Sequence, residues 1–296
     1  MSSDSVQAVV VTHNRKELLL QCLDAIARQA HPVAGVLVVD NASTDGTEEA
    51  LAKSGLGARL RLDYLRLERN GGGAEGFHYG VRHSLASGAD WIWLMDDDTI
   101  ARPTALAELL KASEAVNGSA RPQLLYSRVE WSDGNVHPMN RPHVLRRNPE
   151  LLVASVGRGL LPLRAATFVS LLLSRDAVDR VGLPARHFFF QADDIEYTAR
   201  VLRDGHGFFV PSSVVEHRTQ TKHTAVDDHR RFYYHARNTV LMLRGSAWRA
   251  REKPVLLFWL VTSTLAYLRQ NRFRPGSVKH AVQAIAAGLR FPRREG

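Results

Sequence analysis

Three consecutive carboxylates, Asp96, Asp97 and Asp98, end the apolar run at residues 91–95, and adjacent acids of this kind repel one another. Packing gives no reason for them. Asp is depleted from strands and seldom buried, so the plain alternative is a solvated loop that caps a helix. On extended backbone successive side chains alternate, which sets Asp96 and Asp98 on one side and Asp97 on the other. Two carboxylates so spaced suit Mn²⁺ or Mg²⁺, hard cations that take oxygen ligands and share their shell with a substrate diphosphate. A second acidic pair, Asp193-Asp194, follows Phe188-Phe189-Phe190-Gln191-Ala192 and precedes Glu196. Ile195, Ala199 and Leu202 share a helical face, so both acids sit at that helix's N-terminus, where capping competes as a role for either.

Asn70-Gly71-Gly72-Gly73-Ala74-Glu75-Gly76 follows a strand pattern and opens a helix pattern, an arrangement whose backbone N–H groups can receive an anion. A dinucleotide fold wants its glycines after the first strand. There the chain reads Thr12-His13-Asn14-Arg15, which argues against NAD, and no Walker lysine follows the later glycines. Asp40, at the end of the second strand, is placed to meet a base or ribose edge and equally well to cap the next helix.

The elements that must position these residues follow from periodicity. Residues 6–12 form an apolar strand, and 15–28 a helix with Leu18, Leu19, Cys22, Leu23 and Ile26 on one face. Residues 36–39 form a second strand, 44–48 a turn capping a further helix, 60–67 a third strand and 74–86 a helix leading into 91–95. Alternating strands and helices imply a mainly parallel sheet covered on both faces, with ligands beyond the strands' carboxyl ends. Thr12, Asp40, Asn70 and the Asp96–Asp98 cluster all fall there. A helix is expected at 103–116, irregular chain with short strands at 121–164, a buried strand at 167–173 and a short helix at 175–181. Gly205 is expected to end the helix that Asp193 and Asp194 begin, and 208–215 to supply one or two strands. Helices at 227–243, 254–268 and 277–289 complete the chain.

At 296 residues, 45% hydrophobic and 23% charged, the chain is long and apolar enough to fold around a core, which excludes disorder as the default. Its single cysteine, Cys22, permits no internal disulfide and lies on an apolar helix face, as a structural thiol does. The first five residues lack the pattern of a signal peptide, so a cytoplasmic location is expected. Residues 1–217 carry 23 Lys and Arg against 26 Asp and Glu, whereas residues 218–296 carry 16 against 4, a net of +12. A basic quarter on an acidic body suits nucleic acid, an anionic membrane surface or a polyanionic substrate. The run 254–268 has 15 uncharged residues, short of the roughly 20 that span a bilayer. With Trp259, Tyr267, Arg269, Arg272, Arg274 and Lys279 it reads as lying on a lipid surface, against the alternative of a core-facing helix with a solvated rim.

Val9-Val10-Val11-Thr12-His13-Asn14-Arg15, Val38-Val39-Asp40-Asn41-Ala42-Ser43-Thr44-Asp45-Gly46-Thr47, Asn70-Gly71-Gly72, the Asp triplet, residues 188–196 and His217 occur in an order that resembles family 2 nucleotide-sugar glycosyltransferases. The resemblance covers about residues 6–243. The Asp-Asp-Asp triplet and the Gly-rich segment look most like galactofuranosyltransferases of cell-wall galactan synthesis. Rhamnosyltransferases using dTDP-rhamnose compete, and share the Tyr233-Tyr234 and Arg237-Asn238 pattern. His13 stands where many relatives have proline or tyrosine, and Asp193 where glutamate is frequent.

The resemblance implies an α/β GT-A fold, a Rossmann-like mixed sheet flanked by helices, with a C-terminal helical extension. The catalytic domain would span 1–220, and the basic region 221–296 would serve acceptor and membrane association. The family's metal ligands map to Asp96, Asp98 and His217, holding Mn²⁺ or Mg²⁺, and an imidazole beside carboxylates favours Mn²⁺. Donor contacts map to Thr12, Asn14, Arg15, Asp40, Asn41, Asn70, Gly72 and Gly73, with Asp96 and Asp97, and Asp97 is expected to meet the ribose or the sugar. Asp194 is the implied base of an inverting transfer, with Asp193 and Glu196 toward the acceptor. The implied partners are a UDP-sugar, a polyprenyl-diphosphate-linked saccharide and the inner face of the cell membrane, with no nucleic acid. Nucleotidyl transfer, which releases diphosphate instead of UDP, and a nucleic-acid-binding basic arm are the competing functions.

Overall fold

Three apolar runs, Val6–Thr12, Gly35–Asp40 and Trp91–Asp96, are buried at every residue but Asp96, as strands covered on both faces must be. The structure is a computed structural model and describes residues 4–116, 121–221 and 228–292. In chain order it contains β1 (Val6–Thr12), α1 (Lys16–Ala27), β2 (Gly35–Asp40), α2 (Thr47–Lys53), β3 (Leu62–Arg66), α3 (Gly72–Ala86), β4 (Trp91–Asp96) and β5 (Thr99–Ala101). There follow α4 (Ala105–Ala115), β6 (Leu124–Glu130), β7 (His143–Val144), α5 (Pro149–Val156), β8 (Leu161–Ala165), β9 (Leu171–Ser174), α6 (Arg175–Val181), α7 (Asp193–Val201) and β10 (Gly207–His217). The last three helices are α8 (His229–Arg244), α9 (Lys253–Gln270) and α10 (Pro275–Arg290).

The strands lie in the order β3-β2-β1-β4-β9-β6-β10-β8-β7, with β5 paired to β10. The first four are mutually parallel; β9 then enters antiparallel to both β4 and β6, and only β6 and β10 are parallel beyond it. The sheet is therefore mixed, not mainly parallel. The chain moves outward from β1 through β2 to β3 and returns to place β4 on the other side of β1. That reversal opens a crevice at the carboxyl ends of β1 and β4, the position where open α/β sheets bind ligands. Register aligns Thr12 with Asp40, and Val11 with Asp96, on the rim of that crevice. Helix α3 lies close over β1 because a Cβ at Gly76 would fall 2.5 Å from Val11, and one at Gly80 2.4 Å from Val9.

Several sequence expectations shift. The stretch 121–164 holds a full seven-residue strand, β6, deep in the sheet. Its alternation is broken by Ser127, whose hydroxyl is buried in hydrogen bonds to Ser170 and Ser213, both 2.7 Å. The strand expected at 167–173 begins only at Leu171, because Ser170 has φ 57°, outside any strand conformation. Helix α7 ends at Val201, so Gly205 is not its cap. Helix α8 starts at His229; the expected start at Asp227 lies outside the described residues.

Helices α9 and α10 pack on α8, and the three dock on the sheet domain. Arg164, 8% exposed, donates to Glu252 at 2.8 Å and to the Ala199 and Ala247 carbonyls at 2.7 Å each. Tyr267, expected at a lipid surface, is fully buried and stacks on Phe232 at 3.8 Å. Trp259 is half-buried against Trp248 and His143. The exposed large apolar residues of this region are others: Val255, Leu257, Phe258, Val261 and Leu265 of α9, Phe273 of the following turn, and Val278, Val282 and Leu289 of α10.

Candidate active site

Strand β4 ends at Asp96, and Asp97 and Asp98 form the turn into β5. Antiparallel pairing of β5 with β10 sets His217 opposite Thr99 and thereby beside Asp98. Single ligand atoms of Asp96, Asp98 and His217 all lie within 4.8 Å of one another. The expected group is assembled, but by a turn and a β-pair, not by strand alternation. Asp97 meets the protein's own side chains: Thr12 donates to it at 2.7 Å, and Arg15 lies 3.3 Å from Asp97 and 2.7 Å from Asp98.

The orientation of His217 is fixed from behind. Its Nδ1 lies 2.8 Å from Oδ1 of Asn140, whose amide nitrogen donates to Thr167 at 2.9 Å. An amide oxygen only accepts, so Nδ1 carries the hydrogen, and Nε2 faces Asp98 Oδ1 at 3.1 Å. In the neutral ring Nε2 is an acceptor facing an acceptor, and Asp98 Oδ1 has no hydrogen-bond partner. Such a contact calls for a proton or a cation between the atoms. The residues therefore fit a divalent cation, with two carboxylates and one imidazole as donors.

The electrostatics say the same. Burial works to raise the Asp98 carboxyl, but His217 and Arg15 outweigh it and hold the group below the usual carboxylate range. Burial likewise opposes charge on His217, and Asp98 and Asp96 overcome it, so its proton is held above the ordinary histidine range. Asp96 is pushed up to about 6 by burial and by the Asp98 charge, and Asp97 to about 7 by the same two causes. Asp194 is pushed up to about 7 by burial and the Asp96 charge, against N–H groups of Ile195 and Phe168. The Asp96 charge is thus among the causes that raise Asp194. Asp193 is raised by burial and by Asp194.

Neither Asp193 nor Asp194 caps α7. The cap position is Ala192, with no side-chain cap bond, and the Asp194 carboxylate accepts instead from the Ile195 N–H at 2.7 Å. Both acids nonetheless lie in the first turn of α7, where the Asp194 carboxylate still serves one of its free N–H groups. Glu196 is engaged elsewhere: Arg200 contacts its two oxygens at 3.1 and 3.2 Å.

Donor-side residues cluster at the ends of β1, β2 and β3. Asn14, at φ 54°, receives a bond from the Thr44 N–H at 2.7 Å and gives its own N–H to Ser43 at 2.9 Å. Asp40 has no exposed surface; it accepts from the Ser43 N–H at 2.8 Å and from Tyr64, with Arg66 at 3.5 Å, so its contacts are to protein. Asn41 donates to the Gly72 carbonyl at 3.2 Å, and its Oδ1 is buried without a partner. Asn70 is exposed and accepts from the Gly72 N–H at 2.8 Å, while the Ala74 N–H is directed at the Phe189 carbonyl, 3.3 Å away. Two of the amides expected to face an anion are thereby engaged. A Cβ at Gly73 would meet nothing within 4 Å, so that position is open. A cavity of about 610 Å³ lies on the flank of these loops, lined by Lys16, Ser43, Thr44 and Arg66 among others; none of the paired acids lines it. Chemistry, more than volume, locates the site.

Sequence reasoning missed Asn140, which lay in the stretch read as irregular and carries no pattern. It also gave no role to Asn238. Cys22 is buried as expected, and burial holds its thiol well above the ordinary range.

The model of "Glycosyl transferase family 2" matches residues 7–156. A galactofuranosyltransferase of Mycolicibacterium smegmatis is 35% identical over 206 residues, 69% of this chain and 67% of that protein. A dTDP-rhamnosyl transferase of Shigella flexneri is 24% identical over 306 residues, 97% of this chain and 96% of that protein. Among solved structures, a mannosyltransferase of Pyrobaculum calidifontis in complex with GDP-Man and Mn²⁺ superimposes with a TM-score of 0.57, at 20% identity, over 98% of this chain and 76% of its own. The matched segment spans about two thirds of the galactofuranosyltransferase's own length. The family match covers Asp96–Asp98 and every expected donor residue, and it ends before Asp193, Asp194 and His217.

Proposed function

Because the chain belongs to glycosyl transferase family 2, we propose that it transfers galactofuranose, with inversion, from UDP-galactofuranose to a polyprenyl-diphosphate-linked saccharide in surface polysaccharide synthesis. The observation that carries this is the grouping of Asp96, Asp98 and His217, with ligand atoms within 4.8 Å of one another at the carboxyl end of β4; the Asp96 charge is also among the causes that raise Asp194. Identity of 35% to a galactofuranosyltransferase favours this sugar over rhamnose, for which the identity is 24%.

In the transfer, the acceptor hydroxyl oxygen bonds to the anomeric carbon as that carbon's bond to the β-phosphate oxygen breaks. The electron pair leaves with UDP, and the hydroxyl proton passes to Asp194. Asp96, Asp98 and His217 would hold Mn²⁺ or Mg²⁺, which would supply positive charge against the departing diphosphate. Arg15 balances Asp97 and Asp98, and Thr12 fixes Asp97 from the first strand. Asp194, at about 7, is poised to take a proton near neutral pH. Residues 1–220 form the catalytic part in this reading. Residues 221–296 bring it to the inner face of the membrane through exposed Leu257, Phe258, Val261, Leu265 and Phe273, rimmed by Arg269, Arg272, Arg274 and Lys279. No described helix is long and apolar enough to cross a bilayer.

Thermal-shift binding across UDP-, dTDP- and GDP-sugars, with and without Mn²⁺, tests the donor, since a ligand that binds only the native state raises Tm by mass action. A Mn²⁺-dependent shift with UDP-galactofuranose exceeding that with dTDP-rhamnose is expected. No metal-dependent shift with any nucleotide sugar overturns the proposal.

A further inference from the structure

Residues 186–192 carry the chain into Asp193 and Asp194 through a backbone that L-residues rarely adopt. Phe189, Gln191 and Ala192 have φ values of 63°, 64° and 62°, and none of them is glycine. Conformations of this kind persist only where surrounding structure over-determines them. Here the determinant comes from α8, 47 to 50 residues farther along the chain by the hydrogen-bond separations. Asn238 is fully buried, and its amide nitrogen lies 3.1 Å from the Phe188 carbonyl, 2.9 Å from that of Phe190 and 2.7 Å from that of Gln191. Its Oδ1 accepts from Arg237 Nε at 2.8 Å, and the same guanidinium donates to the His187 and Phe188 carbonyls at 2.8 and 2.7 Å. Tyr234 stacks on Phe189 with ring centroids 5.0 Å apart.

The loop also touches the donor side. The Phe189 carbonyl lies 3.3 Å from the Ala74 N–H, and a Cβ at Gly72 would stand 1.9 Å from its oxygen. One strained segment therefore meets the Gly72 turn at its start and delivers Asp194 at its end.

We propose that Asn238, supported by Arg237, is a positioning residue: it clamps the left-handed loop and so sets Asp194 in place relative to the glycine turn. The proposal rests on the reading of Asp194 as base. Its consequence is that α8, in the C-terminal region, completes the active site as well as packing against it. Truncating the side chain removes the amide that gathers three carbonyls, freeing the loop to relax toward ordinary φ values. Asp194 then loses its placement, whereas Asp96, Asp98 and His217, held by β4, β5 and β10, keep theirs.

The test is Asn238→Ala measured beside Asp194→Asn and Val240→Ala, the last a buried α8 residue facing α10 that weakens packing without touching the loop. Asn238→Ala is expected to keep Mn²⁺-dependent UDP affinity and donor KM within about threefold and to lose kcat by about 100-fold, the scale of a 1 Å misplacement. Val240→Ala is expected to lower Tm and retain kcat. In the Asp194→Asn background Asn238→Ala should cost little more, because both act through one group. A wild-type kcat in Asn238→Ala, or a kcat that falls only in step with UDP binding, overturns the inference. Should Asn238→Ala not fold, Arg237→Gln removes the neighbouring carbonyl bonds and is read in the same way. An active Asp194→Asn enzyme would count against the base assignment; an inactive one beside a fully active Asn238→Ala enzyme counts against the clamp alone.

Discussion

His217 Nε2 and Asp98 Oδ1, 3.1 Å apart, need a proton or a cation between them, and this requirement links the site to pH. In the unfolded chain Asp titrates at about 4; in the fold Asp96 is raised to about 6, and Asp97 and Asp194 to about 7. Between those values the native state binds more protons than the unfolded one, so its stability falls as pH rises. His217, also raised, loses its contribution in the same direction. Asp98 is lowered, and its contribution is lost only as pH falls through a value below the usual carboxylate range. In chelator, Tm should therefore drop from about pH 5 to about pH 8, and Mn²⁺ should raise it most at the upper end. A flat, Mn²⁺-insensitive Tm contradicts the electrostatic account. At this scale the sequence showed the acids themselves, since three adjacent carboxylates have no packing use. It did not show Asp97's partners, because strand alternation stops at Asp96 and the turn geometry decides the rest.

Among the elements, β1, β2 and β4 were legible because each is a nearly unbroken apolar run. Strand β6 was not, because its buried polar residue is satisfied by Ser170 and Ser213, partners far away in sequence. The loop before α7 was hidden for a related reason: its positive φ values fall on Phe189, Gln191 and Ala192, where no glycine announces them. The glycine turn was visible, and its steric reason can be tested. Gly72 has φ 77° and a Cβ there would overlap the Phe189 carbonyl, so Gly72→Ala should destabilise the fold by about 1–3 kcal/mol. Gly73→Ala, facing open space inside a helix, should hold or slightly gain stability. Equal losses of denaturation free energy for the two would contradict this placement.

For the whole molecule, the charge division between the two parts of the chain was readable from composition, but the use of each aromatic was not. Tyr267 turned inward to join α9 to α8, Trp259 turned inward against His143 of β7 and Trp248, and Leu257, Phe258 and Phe273 remained outside. Replacing Leu257 and Phe258 together by Ser should cut binding to anionic phospholipid vesicles by about tenfold or more, given about 1.5–3 kcal/mol for each large apolar side chain buried. Unchanged sedimentation with vesicles would remove the membrane from the proposal and leave the catalytic centre untouched. The central claim is that one site activates the donor on Asp96, Asp98 and His217 and deprotonates the acceptor on Asp194. Its most direct test is Asp194→Asn, assayed for sugar transfer and, by calorimetry, for Mn²⁺-dependent UDP binding. The account predicts transfer reduced by at least about 100-fold with UDP affinity retained; transfer near the wild-type rate, or UDP binding lost together with it, would contradict it.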